Sequence, residues 1–301
     1  MDSPFFAGID VGSTTVKYVV VDSAGALRQK NYVRSHGRPS QTLLPLLSEI
    51  TEACSPDSSI FFGFTGSGGE RIARLFHCDF LNEIVVQPRA VDRLTPGAEN
   101  VIEMGGQDAK FLVLGRDSLG SPFLVDAALN DLCAAGTGSF LDQQALRLGI
   151  PVEDFGDLAL EGRDRPASIA GRCTVFCKSD MVHLQQIGAP LAEIIAGVCL
   201  AVARNFKQTL INKLRDKLGK RYVFQGGVAN NQGMVWAFEK DLGLSPGSLI
   251  VPEHKEVVSA LGTALTLLHW WDSLSQMSPA QARAFRQLHK IRLAPVPCLD
   301  P

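Results

Sequence analysis

One pattern occurs twice in this sequence at a fixed offset. Laid without gaps over residues 102–114, residues 9–21 pair Asp10 with Glu103, Gly12 with Gly105 and Lys17 with Lys110. The apolar runs 18–21 and 111–114 superimpose as well. Each copy is an acid ending one apolar run, a glycine-bearing turn and a second apolar run, which reads as two strands joined by a tight turn. Two such hairpins, each heading its own series of strands and helices, constrain the chain to a duplicated α/β fold. A glycine turn also lets backbone N–H groups approach phosphate oxygens closely and form an anion-binding nest. Acids beside it can hold Mg²⁺ through water and orient an attacking water. The competing reading is a pair of ordinary hairpins from a duplicated fold with no ligand.

With 301 residues the chain is long enough for two ordinary domains. Strands are expected at 5–10, 17–22 and 27–33, a helix at 41–53, and a buried strand at 60–65 that ends in Gly66-Ser67-Gly68-Gly69. That last turn reads as a structural edge. Residues 89–97 read as a polar crossing around Pro96-Gly97. A second meander follows at 100–104, 110–114 and 122–127, then helices at 138–149, 179–187 and 191–218. A strand at 222–225, a helix at 231–241, a strand at 249–251 and a helix at 257–274 complete the series. The tail 279–301 reads as a linker. The expected domains are 1–97 joined by a returning C-terminal helix (about 262–301), and 98–261.

The formal net charge is −2, so neither a nucleic-acid arm nor a surface for anionic membranes is indicated. The N-terminus lacks the basic and apolar regions of a signal peptide, and no apolar run approaches the roughly 20 residues of a membrane span. A cytoplasmic protein without nucleic-acid or membrane partners is expected. Seven cysteines, an odd number spread thinly, fit reduced thiols or metal ligands better than a disulfide framework.

A third element is Phe224-Gln225-Gly226-Gly227-Val228-Ala229-Asn230, at a strand–helix junction. Paired glycines there let a purine and ribose lie against the backbone. Taken together, Gly8-Ile9-Asp10-Val11-Gly12-Ser13-Thr14-Thr15, residues 102–110 and Gly226-Gly227 resemble the phosphate-1, phosphate-2 and adenosine motifs of the actin/Hsp70/sugar-kinase superfamily. Within it the chain is similar to the BadF/BadG/BcrA/BcrD group, which includes the ATPase activators of 2-hydroxyacyl-CoA dehydratases. The stretches that carry this resemblance are residues 130–142, Asn-Asp-Leu-Cys-Ala-Ala-Gly-Thr-Gly-Ser-Phe-Leu-Asp, and Cys173-Thr174-Val175-Phe176.

The resemblance implies two ribonuclease H-like domains with a nucleotide cleft between them. It implies Mg-ATP bound through Gly12, Ser13, Thr14, Thr15, Lys17, Gly105, Gly106, Gly136, Thr137, Gly138, Gly226, Gly227 and Asn230. Asp10 would position Mg²⁺, and Glu103, or Gln107 and Asp108, would orient the attacking water. It further implies a homodimer, or paired modules of a longer chain, sharing one [4Fe–4S] cluster through Cys133 and Cys173 of each copy. An iron–sulfur cluster of this kind takes four thiolates, which two copies supply. Ferredoxin or flavodoxin would be the donor, and a 2-hydroxyacyl-CoA dehydratase-like or double-cubane-type protein the acceptor of one electron.

Some readings stay open. Cys177 makes a C-x₃-C pair with Cys173 and is either a residue supporting the ligands or a packing residue. Cys54, Cys78, Cys199 and Cys298 read as small buried hydrophobes, and His183 as a solvated face residue. Trp270-Trp271 reads as core or interface packing. Lys17 and Lys110 either reach phosphates or form the polar side of an alternating strand. Residues 178–186 look more like larger fused activases. Two rival functions use the same fold: a small-molecule kinase of the amino-sugar type, and a non-catalytic nucleotide switch.

Overall fold

In a computed structural model, residues 4–52, 54, 58–130, 137–171, 174–289 and 295–296 are described. The chain forms two compact units, Met1–Leu94 with Val257–Pro301, and Thr95–Glu256.

The first unit starts with a meander of β1 (Phe5–Val11), β2 (Thr15–Val21) and β3 (Leu27–Arg34). Helix α1 (Pro39–Glu52) follows, burying Leu43, Leu46 and Ile50 at helical spacing against the sheet. Next come β4 (Ile60–Thr65), buried along its whole length, the short α2 (Gly69–Leu75) and β5 (Asp79–Phe80). Helix α3 (Glu83–Leu94) ends this first pass. β4 lies parallel to β1, which a chain achieves only through a crossover such as α1.

The second unit repeats the plan. β6 (Asn100–Met104), β7 (Ala109–Arg116) and β8 (Pro122–Leu129) form its meander. They are followed by α4 (Gly138–Leu148), α5 (Phe155–Glu161), α6 (Thr174–Gln186) and α7 (Leu191–Thr209). β9 (Tyr222–Gln225) then pairs parallel with β6, as β4 does with β1, and α8 (Gln232–Leu242) follows. The sheet order is β8-β7-β6-β9. Its core is aromatic: Phe206 meets Phe111 and Phe238 edge-on at 6.5 and 5.3 Å, and Phe238 meets Phe224 at 5.0 Å. Each fully buried phenylalanine of this kind stabilises the unit by roughly 2–3 kcal/mol.

The chain then returns to the first unit as α9 (Val258–Ser275), α10 (Pro279–His289) and β10 (Pro295–Val296). The first sheet is thereby ordered β10-β4-β1-β2-β3, with β5 on β4. α9 lies on the sheet where Gly8 leaves room: a Cβ there would stand 2.0 Å from the Ala260 carbonyl. Trp271, on α9, packs on Phe61 at 4.9 Å. Among the described residues no single helix is long and apolar enough to cross a membrane.

Four expectations are corrected. Residues 89–94 are not a relaxed crossing but the second half of α3, with Ala90 and Val91 buried; Pro88 sits inside the helix rather than ending it. The helix expected over 191–218 stops at Thr209 and continues as a 3₁₀ segment, Ile211–Lys217. No glycine or proline marks that break; the Thr209 hydroxyl donates back to the Asn205 carbonyl at 2.7 Å, a bond that competes with the helix ladder. Residues 249–251 make a single bridge, Ile250 to Val223, and no strand. Residues 279–289 of the tail are not a linker but the helix α10, which starts with a capping box in which the Ser278 N–H and hydroxyl donate to Gln281 Oε1 at 3.0 and 2.8 Å. Pro279 occupies the first helical position, where proline is favoured.

The described cysteines Cys54, Cys78, Cys177 and Cys199 are all buried. Burial, then the nearby Asp180 carboxylate, pushes the Cys177 thiol from its ordinary value of 9.0 up to about 12. The raised value means the folded chain holds this proton more tightly than the unfolded chain. Its contribution to stability is therefore complete below pH 9 and is lost as the pH climbs towards 12. The thiolate is the nucleophile. Iodoacetamide at pH 8 is thus expected to leave Cys177 unmodified in the folded protein and to alkylate it in urea, as read by peptide mass mapping. Equal labelling in both states would contradict this burial.

Candidate functional site

The first hairpin assembles a compact polar end. β1 and β2 are paired so that Asp10 stands opposite Lys17, and Lys17 Nζ lies 2.7 Å from Asp10 Oδ2. Asp10 is only 2 % exposed. A carboxylate so removed from water requires a charged or hydrogen-bonding partner, and the cross-strand lysine is that partner. The turn is closed by the Gly12 N–H donating to the Thr15 carbonyl at 2.9 Å, with Ser13 exposed at its tip.

β4 supplies the floor. Its last residue, Thr65, is level with Asp10 in the parallel register. Gly66 follows in the left-handed region at φ +83°, and a Cβ there would stand 2.3 Å from Asp10 Oδ1. The Gly68 N–H donates to the Val11 carbonyl at 2.8 Å. The turn expected to be a structural edge is therefore packed directly on the Asp10 carboxylate.

The second hairpin repeats this arrangement with longer arms. Glu103 stands opposite Lys110, with Lys110 Nζ 3.6 Å from Glu103 Oε1. Gln225, level with Glu103 on β9, donates through Nε2 to Glu103 Oε2 at 3.3 Å. The extra methylene of glutamate extends this carboxylate into reach of a strand two places along the sheet from Lys110. The Gly105 N–H donates to the Asp108 carbonyl at 2.8 Å, matching Gly12 and Thr15. Gln107 and Asp108 are exposed at the turn.

The start of α4 is bound to this turn. The N–H groups of Gly138 and Ser139 donate to the carbonyls of Gly105 and Gly106, both at 2.8 Å. Both N–H groups are thus engaged by the turn. Thr137, the residue before α4, is fully buried. After β9, Gly226 has φ +91°, and its N–H donates to the Lys255 carbonyl at 2.8 Å. A Cβ at Gly226 would meet the Met104 carbonyl at 2.4 Å, so this turn lies directly against the end of β6. Asn230 is exposed and donates to the Gly227 carbonyl at 3.1 Å.

The structure thus groups Asp10, Gly12, Ser13, Thr14, Thr15 and Lys17 in one unit. It groups Glu103, Gly105, Gly106, Gln107, Asp108, Thr137, Gly138 and Gly226 in the other, with Gly227 and Asn230 just beyond Gly226. Both lysines turn to the acid of their own hairpin. Cys133, Cys173 and Gly136 lie outside the described residues. Among the described residues no three His, Cys, Asp or Glu side chains could together hold a metal ion. A cluster bridging two copies asks for only two thiolates from each, so it needs no such group. Cys177 and His183 both lie on α6; Cys177 is buried in the core of the second unit and His183 is exposed.

Sequence reasoning assigned no role to Gln225 or Ser35. Gln225 stood inside the quoted glycine motif, and only the strand register shows that it meets Glu103. Ser35 follows β3 and donates its hydroxyl to the Ser13 carbonyl at 3.1 Å, across 22 positions of sequence.

Comparison with known proteins gives the same architecture. The chain is 30% identical to the 2-hydroxyisocaproyl-CoA dehydratase activator of Clostridioides difficile over 271 residues, covering 86% of this chain and 92% of that protein. The solved structure of an activator of the 2-hydroxyisocaproyl-CoA dehydratase from Clostridium difficile with bound ADPNP superposes with a TM-score of 0.75. The two are 28% identical, over 91% of this chain and 98% of that one. A ROK family glucokinase from Streptomyces griseus, at 12% identity and a TM-score of 0.52 over 87% of this chain and 98% of that one, shares the fold alone. The fold is that of the actin/Hsp70/sugar-kinase superfamily. With residues 7–266 matched by the family's sequence profile, the chain belongs to the BadF/BadG/BcrA/BcrD ATPase family.

Proposed function

We propose that this chain is an ATP-hydrolysing activator that delivers one low-potential electron to a 2-hydroxyacyl-CoA dehydratase-like or double-cubane-type protein. The observation that carries the reading is the duplicated hairpin, in which an acid, a cross-strand lysine and a glycine turn recur in the same register in both units. Similarity to an activator whose structure holds ADPNP supports ATP as the ligand.

In this reading the turns 12–15 and 105–108 present N–H groups to the phosphates. Thr137 and Gly138 support the second turn, and Gly136 belongs to the same segment. Lys17 and Lys110 hold Asp10 and Glu103 in place and limit the negative charge that would otherwise oppose a triphosphate. Asp10 holds the hydration shell of Mg²⁺, which keeps several waters when bound. Glu103, fixed by Lys110 and Gln225, or Gln107 and Asp108 at the exposed turn, orients the attacking water. Gly226, Gly227 and Asn230 bind the adenosine. Cys133 and Cys173 of two copies, as a homodimer or as paired modules of a longer chain, hold the [4Fe–4S] cluster that supplies the electron. A ferredoxin or flavodoxin is the donor, and the setting is the cytoplasm.

The test is iron and acid-labile sulfide after strictly anaerobic preparation, together with ATP binding. About four irons per two chains are expected, as one shared cluster requires. Cys133→Ser is expected to remove the iron–sulfur absorbance while nucleotide binding stays measurable. An unchanged absorbance spectrum in that variant would defeat the ligand assignment. Iron-free, colourless wild-type protein that still binds ATP would leave a nucleotide switch without electron transfer.

A further inference from the structure

We propose that Ser35 is a positioning residue for the first phosphate turn, fixing the direction in which that turn presents its N–H groups. The inference rests on the ATP-binding reading above.

Ser35 is 2 % exposed. Its hydroxyl donates to the Ser13 carbonyl at 3.1 Å, and its N–H donates to the Thr14 carbonyl at 2.8 Å. Both acceptors belong to the turn between β1 and β2. No cis peptide occurs among the described residues. In a planar trans peptide the C=O and N–H point in opposite directions. Drawing the carbonyls of Ser13 and Thr14 towards Ser35 therefore directs the N–H groups of Thr14 and Thr15 away from it. The N–H bond only extends the β2–β3 ladder by one step. The hydroxyl bond is additional, and it acts on the peptide at the tip of the turn.

The other hairpin shows the same device built from different parts. There the carbonyls of Gly105 and Gly106 are held by the N–H groups of Gly138 and Ser139, which directs the N–H groups of Gly106 and Gln107 away from α4. In the repeat alignment Ser13 corresponds to Gly106, so the peptides Ser13–Thr14 and Gly106–Gln107 are equivalent. That one peptide is held by its carbonyl in both units, once by a loop hydroxyl and once by a helix start. A merely structural bond has no reason to recur at the same peptide with a different donor, whereas aiming an N–H at a ligand is a common requirement of both turns.

The chain after Ser35 closes in a tight turn. The Arg38 N–H donates to the Ser35 carbonyl at 2.8 Å. His36 and Gly37 between them have φ +47° and +77°, the two left-handed residues of a type I′ turn. A non-glycine residue held in that region is strained, and here the strain sits next to the serine that grips the turn.

The test compares equilibrium binding of ATP and of adenosine to the full chain as wild type, Ser35→Ala and Ser35→Thr. One hydrogen bond aiming the phosphate turn predicts that Ser35→Ala weakens ATP binding about fivefold to tenfold. Adenosine, which has no phosphate, is expected to bind unchanged, and its binding shows that the variant is folded. Ser35→Thr keeps the hydroxyl and is expected to restore most of the ATP affinity. The inference is overturned if Ser35→Ala binds ATP as the wild type does. It is equally overturned if ATP and adenosine affinities fall together, which would make Ser35 a residue of the fold only. Wild-type protein that binds no ATP would overturn the proposed function itself, and this inference with it.

Discussion

Asp10→Asn is expected to lower ATP hydrolysis by roughly two to three orders of magnitude, the range typical for loss of a group that manages charge or protons in the transition state. The amide has the same shape as the carboxylate, so packing against Gly66 is retained and the loss is one of charge. The substitution would leave Lys17, 19% exposed, without its carboxylate. Breaking a buried ion pair costs several kcal/mol, and partial access to water reduces the expected stability loss here to about 2 kcal/mol. The lysine so released can pair with a phosphate, so ATP binding should survive while turnover does not. Steady-state phosphate release and a denaturant titration on the same preparation separate the two effects. Asp22 is the matched control. It is also buried, at the turn that follows β2, but it accepts from the N–H groups of Ala24 and Ala26 and pairs with Arg28. Asp22→Asn should therefore destabilise the chain while leaving turnover unchanged. If Asp10→Asn hydrolyses ATP at the wild-type rate, Asp10 has no part in the chemistry.

The contrast between these two acids shows how far the sequence could be read. The hairpins were legible because everything that defines them is local: an apolar run, an acid, a glycine and a second run, copied at a fixed offset. The pairing of Asp10 with Lys17 stays open in the sequence, because a lysine at that place could as well reach a phosphate, and it is the strand register that decides it. Contacts that depend on long-range register were not legible. Gln225 meets Glu103 across 122 positions, and Thr65 comes level with Asp10 only because β4 returns parallel to β1. Local signals were also misweighed. Residues 89–94 read as part of a polar crossing, yet they are the second half of α3, where the buried pair Val86 and Ala90 has helical spacing. Ser278 and Gln281 form a capping box three residues apart, a signal outweighed by the polar, proline-bearing tail around it. The resemblance to dehydratase activators rested largely on the stretches around Cys133 and Cys173, whereas the hairpins alone would equally have suited a kinase.

Gly66→Ala is expected to damage both the fold and the chemistry, because this glycine has two separate reasons to lack a Cβ. Its φ of +83° lies in the left-handed region, which costs an L-residue about 1–2 kcal/mol. A Cβ would also stand 2.3 Å from Asp10 Oδ1 and 2.7 Å from the Val11 carbonyl, and overpacking of that kind typically costs about 1–3 kcal/mol. Together these effects, about 3 kcal/mol, should lower the denaturant midpoint clearly. Gly25→Ala isolates the first cause within the same unit. Gly25 has φ +76°, but the nearest atom to its Cβ would be Leu268 Cδ2 at 3.4 Å, an ordinary contact with a flexible side chain. Its expected loss is about 1 kcal/mol, with turnover unaffected. In Gly66→Ala the β4 turn and the β1 backbone are both tied into the sheet, so the Asp10 carboxylate is the group that can yield. A catalytic group displaced by about 1 Å commonly loses about 10²-fold in rate, and turnover in Gly66→Ala should fall by that order even where the protein remains folded. Turnover that survives in Gly66→Ala, alongside the expected loss of stability, would mean that the position of the Asp10 carboxylate does not set the rate. The chemistry would then have to be sought at Glu103 and its turn.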